Sequence, residues 1–167
     1  MTAPLFERLD RLHISYQRCD HPAVFTTAEA EQWVPSMPGV KAKNLFLADT
    51  RSTRLFMVVV PYEKRVDLAS LATALQLRKL SFASPETMAE VIGVTPGAVS
   101  ILGVANDKDG RVELIVDRSI WESESLQCHP LINTATISIR LDDIRRLLVD
   151  TGHEPRVIEV PSRPPSA

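Results

Sequence analysis

Three polar segments that interrupt apolar stretches carry the side chains best suited to chemistry. They are Lys43-Asn44, the loop of residues 93–100 and the segment of residues 129–136. Because glycine lacks a Cβ, Gly97 in the loop lets backbone N–H groups approach a carbonyl or a phosphate closely. A lysine nearby can neutralise a phosphate or polarise an ester, and His129 can move a proton or hold a hydrogen bond.

Each of these residues also has a plainer interpretation, which the residues alone leave open. Lys43 fits a charge at a strand edge, and His129 fits a satisfied turn residue. Gly97 could simply serve a bend, and Asn133 could cap a turn.

Familiar catalytic motifs are missing from the sequence. It contains no phosphate-binding Gly-x4-Gly-Lys-Ser/Thr, no Gly-x-Gly-x-x-Gly, no His-Glu-x-x-His and no Gly-x-Ser-x-Gly. Cys19 lies close to His21, and Cys128 precedes His129, but adjacent Cys and His side chains rarely converge on one ion. We therefore expect two thiols, no metal and no cofactor.

The charge distribution singles out one stretch of the chain. The formal net charge is −2, yet residues 41–79 carry eight basic side chains against three acidic ones. A local basic segment of this kind, which includes Lys64 and Arg65, suits a phosphate contact. Ordinary solvated surface charge remains an equal alternative.

The sequence also bears on location. It has no apolar run of about 18 residues. Its N-terminus has helical spacing of leucines and no apolar segment before a small-residue cleavage site. We therefore expect no contact with a membrane and a cytoplasmic protein.

The elements that position the polar segments follow from periodicity, caps and turns. Helices are predicted over residues 4–13, 26–33, 67–75, 84–93 and 141–149, with Asp67 and Ser84 as the N-caps of the third and fourth. Strands are predicted over residues 16–20, 43–48, 55–60, 80–82, 101–104, 112–116, 135–139 and 157–160, the second and third forming a hairpin. The apolar run 55–60 indicates a strand buried on both faces. Because strands and helices mix without regular alternation, we predict a mixed α+β fold. Residues 1–160 form one domain, and residues 161–167 are a disordered tail.

Four stretches together resemble the YbaK/prolyl-tRNA synthetase-associated editing-domain family, also called INS-like. They are HPAVFTTAEA at 21–30, KAKNLFL at 41–47, residues 93–107, and HPLINTAT at 129–136. The resemblance spans roughly residues 5 to 150. It is nearest to the branch that clears alanine from tRNA for proline, the ProXp-ala type.

The resemblance implies a fold and a site. The fold is a mixed, partly barrel-like β-sheet surrounded by helices, with a pocket for the aminoacyl-adenosine end of tRNA. Lys43 matches the functional lysine of the family, with Asn44 beside it. The Gly-x-x-x-Pro loop of the family falls on Gly97 to Ile101, where isoleucine replaces proline.

The resemblance also implies an activity, which is trans-editing by hydrolysis of the ester in mischarged tRNA for proline, most directly Ala-tRNA. Lys43, Asn44, Gly97 and His129 are the expected catalytic residues, and a ribose hydroxyl of the substrate helps to orient the water. Expected partners are mischarged tRNA and, in addition, prolyl-tRNA synthetase. Alternatives are a deacylase of the same family for Cys-, Ser- or non-protein aminoacyl-tRNA, or a non-catalytic tRNA-binding module.

Selectivity for alanine over proline requires a wall, since an apolar pocket alone favours the larger ring. We expect Ile101 and Leu131 to form part of that wall. Asn133 and Thr134 are expected to bind substrate beside them.

Overall fold

The computed structural model describes residues 3–23, 37–50 and 53–164. The helix predicted over residues 26–33 therefore lies outside the described residues.

The described α-helices include four of the predicted ones, and a fifth, Arg118–Trp121, is a short helix that the sequence does not predict. They are α1 (Ala3–Arg11), α2 (Leu68–Ala74), α3 (Pro85–Ile92), α4 (Arg118–Trp121) and α5 (Leu141–Thr151), with 3₁₀ helices at Pro96–Ala98 and Ile101–Asn106. The Asp67 carboxylate accepts from the Ser70 N–H, and the Ser84 hydroxyl accepts from the Thr87 N–H. Each side chain satisfies a backbone donor that the first helical turn leaves without a partner.

The described residues form one sheet of eight strands. They are β1 (Tyr16–Asp20), β2 (Val40–Asp49), β3 (Leu55–Pro61), β4 (Leu80–Phe82), β5 (Val112–Asp117), β6 (Ser125–Cys128), β7 (Ala135–Arg140) and β8 (Arg156–Ile158). Their order is β1-β7-β6-β2-β3-β5-β8, with β4 paired to β2. The predicted hairpin of β2 and β3 is confirmed, with Lys43 opposite Val60 and Asn44 opposite Val59.

Parallel and antiparallel pairs coexist in this sheet. β2 with β6, β3 with β5, and β5 with β8 are parallel, and the remaining pairs of strands are antiparallel. The mixed α+β prediction is confirmed. The sheet is not closed into a barrel, because β1 and β8 end the path without pairing to each other in the described chain.

Two apolar clusters lie on opposite faces of the sheet, because side chains alternate along a strand. The major core includes Phe46, Met57, Val59, Ile92, Leu102 and Leu147. The minor core includes Leu47, Phe56, Val58, Val60, Leu71 and Ile115. β3 contributes to both, and its residues Leu55 to Val60 are buried, as its continuous apolar run predicts.

Three local predictions need correction. Residues 101–104 form a 3₁₀ helix and not a strand. The last strand covers Arg156–Ile158 and not residues 157–160. In the predicted tail, Asp67 N–H donates to the Pro161 carbonyl and Arg163 N–H donates to the Arg65 carbonyl. The described start of that tail is therefore paired with the domain.

Candidate active site

A gap in strand pairing surrounds Lys43 and Asn44. One edge of β2 pairs with β6 at Val40 and Lys41, and with β4 from Leu47 to Asp49. Between these two pairings, no described strand covers that edge. Lys43 and Asn44 therefore lie on a stretch of β2 whose edge the described strands leave unpaired.

The three polar segments meet at Ser100 and Ile101. Asn44 Oδ1 accepts from the Ile101 N–H at 3.0 Å, which joins the first segment to the glycine-bearing loop. The Ser100 side chain hydrogen-bonds the Cys128 thiol, the residue directly before His129. The structure thus links Asn44 directly to the glycine-bearing loop, and it links that loop to Cys128, the residue before the third segment.

Lys43 and Asn44 point to opposite faces of the sheet. Asn44 pairs with Val59 of the major core, whereas Lys43 pairs with Val60 of the minor core, and directly opposite residues share a face. The Asn44 amide therefore shapes the loop from the major-core side. Lys43 projects from the other face.

His129 lies on the same face as Lys43. In β7, Ile137 belongs to the major core, so its neighbour Thr136 faces the other way. Thr136 hydrogen-bonds His21, and the His21 and His129 ring centroids are 6.2 Å apart. Lys41 and Gln127 form the last pair between the parallel strands β2 and β6. Lys43 follows Lys41 by two residues, and His129 follows Gln127 by two residues, so each continues on the face of that pair. The sheet thus presents both predicted residues from one face, next to the gap.

The two histidines have defined tautomers. The Nδ1 of His129 lies 2.9 Å from the Ala135 carbonyl, and the Nδ1 of His21 lies 2.9 Å from the Pro22 carbonyl. A carbonyl only accepts, so both Nδ1 atoms carry the proton. Burial lowers the pKa of His129 from its ordinary 6.5; the Ala135 carbonyl opposes the lowering, and the electrostatic interaction with His21 adds to it. His129 is therefore neutral at pH 7 and offers the lone pair of Nε2 as an acceptor.

His21 lies beside His129 and hydrogen-bonds Thr136. The sequence does not predict either residue for the site, although both fall in the stretches that carry the resemblance. The available signal was the repeated His-Pro pair, at His21-Pro22 and His129-Pro130. Proline after each histidine favours extended backbone there. Only the β1–β7 pairing, however, shows that the two pairs are neighbours in space.

Lys43 lines a pocket of about 340 Å³ together with Leu45, Phe82, Arg65 and Arg163. Burial lowers the pKa of Lys43 from its ordinary value, and Arg65 lowers it further, whereas Glu63 opposes the change. A bound anion would relieve the repulsion between these cations. The electrostatics at Lys43 therefore favour a negatively charged ligand.

The other predicted site residues occupy two loops. Gly97 lies in the 3₁₀ helix Pro96–Ala98 and is partly buried. Leu131, Asn133 and Thr134 belong to the connection between β6 and β7, where the Thr134 carbonyl accepts from the His21 N–H at 2.9 Å. Leu131 has φ +68° and is buried, a left-handed conformation that costs a leucine free energy and marks constrained backbone.

Ile101 is buried in the major core, with 2% of its surface exposed. Its side chain therefore packs away from the Lys43 face, and only its backbone, held by Asn44, borders the junction. Any influence of Ile101 on substrate size would act through the shape of the loop.

The cysteines and histidines do not assemble into a ligand set within the described residues, where no three His, Cys, Asp or Glu side chains are placed to hold a metal. Cys128 is buried in the major core, opposite to the face that carries His129. Burial raises the pKa of the Cys128 thiol to about 12, with Ser100 opposing the rise. Cys128 is thus a protonated core residue at neutral pH.

Some of the basic side chains in residues 41–79 form ion pairs within the described part of the fold, and others do not. Lys64 Nζ contacts Asp117 at 3.1 Å and donates to the Val160 carbonyl at 2.8 Å, and Arg54 forms a bidentate pair with Glu113. The sequence suggested Lys64 as a phosphate contact. Because its charge is already committed inside the fold, that interpretation is wrong for Lys64.

In the portion of the chain that the structure covers, no helix is long and apolar enough to cross a membrane.

Comparison with known families identifies the domain. The sequence model of the aminoacyl-tRNA editing domain matches residues 21–147, which include all three polar segments and both histidines. The chain belongs to the aminoacyl-tRNA editing domain family, and its activity is that of an aminoacyl-tRNA deacylase acting in translation fidelity.

Individual relatives agree with this placement. The prolyl-tRNA editing protein ProX of Acetoanaerobium sticklandii is 31% identical over 153 residues, covering 92% of this chain and 93% of the relative. The prolyl-tRNA synthetase associated domain-containing protein 1 of Danio rerio is 33% identical over 156 residues, covering 92% and 84%. A solved structure described as a candidate trans-editing enzyme for prolyl-tRNA synthetase superposes with a TM-score of 0.69 at 21% identity, covering 97% of both chains, which supports the fold.

Proposed function

We propose that this protein is a cytoplasmic trans-editing enzyme that hydrolyses mischarged tRNA for proline, with alanine as the amino acid removed. The main structural support is that Lys43 and His129 share one face of the sheet, beside the gap between β6 and β4. The relatives named for prolyl-tRNA editing supply the choice of tRNA, and the ProXp-ala resemblance supplies the choice of alanine.

The proposed reaction is hydrolysis of one ester bond. Water attacks the carbonyl carbon that joins alanine to the terminal ribose, the C–O bond to the ribose breaks, and the ribose oxygen takes up a proton. The Lys43 ammonium stabilises the developing oxyanion or the terminal phosphate, where a fixed positive charge is worth most in a partly buried site. A ribose hydroxyl of the substrate orients the water.

His129 binds the substrate through Nε2. The neutral imidazole accepts a hydrogen bond from the α-amino group of alanine or from a ribose hydroxyl. Thr136 and the Ala135 carbonyl hold the His21 and His129 rings in place, so the acceptor is oriented before the substrate arrives. Asn133 and Thr134, in the connection next to His129, contact the adenosine.

Selectivity against proline comes from rigid backbone at the junction. Ile101 and Leu131 are both buried, and the Asn44 amide fixes the Ile101 N–H. A packed core yields little to an oversized group. The loop backbone that Ile101 and Leu131 anchor in the core is therefore held in place, and we expect it to exclude the larger proline ring by size.

Replacement of Lys43 tests the catalytic assignment. Lys43→Ala should lower kcat for Ala-tRNA(Pro) by about 100-fold or more, because a stabiliser of the developing charge is lost. The rate is measured as deacylation at saturating tRNA, with circular dichroism to verify folding. Lys79→Ala, an exposed lysine of the same basic segment, is the control and should keep the wild-type rate. Equal turnover in both variants would contradict the assignment of Lys43 to the catalytic site.

A further inference from the structure

Two exposed arginines are held side by side at the rim of the Lys43 pocket. The Arg163 N–H donates to the Arg65 carbonyl at 2.7 Å, and the neighbouring residues Val66 and Ser162 form a β-bridge. Two short segments distant in sequence are thereby fixed together, and both arginines line the same pocket. Backbone hydrogen bonds, and not an ion pair, hold the backbones of the two arginines next to each other.

These arginines remain available for a ligand. Among the ion pairs of the described residues, Arg65 and Arg163 have no carboxylate partner, in contrast to Arg54 and Lys64. Asp67 is the acid that interacts with Arg163 at longer range, and its carboxylate is engaged by Ser70 at the start of α2. The pocket itself is lined by three cations and no acid.

An exposed aromatic ring lies in the same pocket. Phe82 is 65% exposed, although it belongs to β4 and pairs with Leu47 of the minor core. Phe82 and the three cations line the same pocket. Aromatic rings interleaved with basic side chains are the usual platform for single-stranded nucleic acid, where bases stack and phosphates meet cations.

We propose that Phe82, Arg65 and Arg163 form the binding site for the single-stranded 3′ end of tRNA. One base next to the terminal adenosine stacks on Phe82, and the adjoining phosphates contact the two arginines. This arrangement leads the strand to Lys43 at the inner end of the same pocket, where the ester is cleaved. The inference rests on the proposed function and adds the residues that hold the substrate outside the reacting centre.

A larger pocket next to the Lys43 pocket is unsuited to the 3′ end of tRNA. It has a volume of about 810 Å³ and shares Arg65 and Arg163, but it also contains Glu63, Glu122 and Glu159. These carboxylates repel a phosphate backbone. Arg118, which lines only the larger pocket, is therefore excluded from the binding site and provides a matched control.

Binding of uncharged tRNA tests the arginines without any assumption about the amino acid removed. The fluorescence anisotropy of labelled, uncharged tRNA, whose 3′ end is single-stranded, is measured as protein is added at several salt concentrations. The titrations give the affinity and its salt dependence. For the Arg65→Ala/Arg163→Ala double variant, the slope of log K against log salt should be less steep by about 1.4, because two contacts to single-strand phosphates are lost. Arg118→Ala should leave the slope unchanged. An unchanged slope in the double variant, or an equal change in Arg118→Ala, would overturn the proposal.

Phe82 is tested on two substrates. Phe82→Ala should lower kcat/KM for the preferred aminoacyl-tRNA by about 10-fold through KM, since one stacked base is lost, and Phe82→Trp should restore it. The same variant should hydrolyse the corresponding aminoacyl-adenosine at the wild-type rate, because that substrate lacks the stacked base. Val149→Ala, another exposed apolar residue, is the control. Equal losses on both substrates, or no loss on tRNA, would contradict a role in holding the strand.

The two proposals fail in different ways. If the wild-type protein binds the 3′ end through these residues but cleaves an ester other than Ala-tRNA(Pro), only the proposed specificity is wrong. If it cleaves Ala-tRNA(Pro) and the arginine and phenylalanine variants behave as wild type, only the proposed strand-binding site is wrong.

Discussion

His129 combines partial burial with a fixed tautomer, and both properties follow from its neighbours. The Ala135 carbonyl places the proton on Nδ1, while burial and the nearby His21 lower the pKa. The neutral ring therefore persists to lower pH than that of a free histidine. This matters for a group that must accept a hydrogen bond from the substrate.

The pH dependence of deacylation should report this residue. Protonation of Nε2 removes the acceptor, so the contribution of His129 to kcat/KM should be lost only below pH 6.5, its ordinary pKa. Comparing the profile of the wild-type enzyme with that of His129→Gln separates this residue from titration of the substrate amine. A difference between the profiles that sets in above pH 6.5, or identical profiles, would argue against the assignment.

Individual site residues could be predicted from the sequence better than their orientations. The sequence predicts Lys43, Asn44 and His129 from residue type. The structure places Asn44 at the junction with Ile101, and it places Lys43 and His129 on the opposite face of the sheet. That Lys43 and Asn44 face opposite sides of the sheet follows from their alternation along β2. The left-handed conformation of Leu131 has no signal in the sequence, because leucine rarely adopts positive φ.

At the scale of elements, β2 is the piece that creates the site. Its first residues pair with β6 and its last residues pair with β4, which leaves the edge beside Lys43 and Asn44 without a described strand. The loop of residues 93–100 and the β6–β7 connection then approach that gap. The positions of three separate segments thus depend on where one long strand changes partners.

Lys64 belongs to the framework of these elements. Its ammonium group joins the end of β3 to Asp117 at the end of β5 and to the Val160 carbonyl. Although burial raises the pKa of Asp117, hydrogen bonds from Ser119, the Val160 N–H and Lys64 together lower it below its ordinary 3.8. Asp117 is therefore charged in the folded protein at neutral pH, and the Lys64 ammonium group compensates its buried negative charge.

Lys64→Ala should lower the free energy of unfolding by about 3 kcal/mol, because it leaves a buried carboxylate without its cation. Arg54→Ala, which breaks an exposed pair with Glu113, should cost about 1 kcal/mol or less. Urea unfolding measures both. A depressed pKa contributes stability above its unfolded value, so the Lys64 effect should shrink below pH 3.8. A loss for Lys64→Ala no larger than for Arg54→Ala would contradict the structural role.

Local patterns predicted most elements and failed where tertiary context decides. The caps Asp67 and Ser84 and the β2–β3 hairpin are local features, and each is confirmed. The apolar run 101–104 is too short to separate a strand from a buried helical turn, and it forms a 3₁₀ helix. β6 was missed, since the alternation of Ser125 to Cys128 lasts only four residues, and the strand is defined by its pairing with distant β2 and β7.

Over the whole molecule, the net charge of −2 does not show that the basic residues fall into two groups with different roles. Arg54 and Lys64 stabilise the fold through ion pairs, whereas Lys43, Arg65 and Arg163 line one pocket. The sequence shows the concentration of charge but not this division, because burial and partners decide it. An acidic protein can thus bind RNA through one narrow basic site.

The most direct measurement is deacylation of a panel of charged tRNAs by the wild-type protein in excess chelator. The panel contains Ala-, Cys-, Ser- and Pro-tRNA(Pro). We expect rapid hydrolysis of Ala-tRNA(Pro), survival of Pro-tRNA(Pro), and the same rates with and without chelator. Preferential hydrolysis of the Cys or Ser ester, loss of activity that zinc restores, or tRNA binding with every ester left intact would contradict the proposed activity.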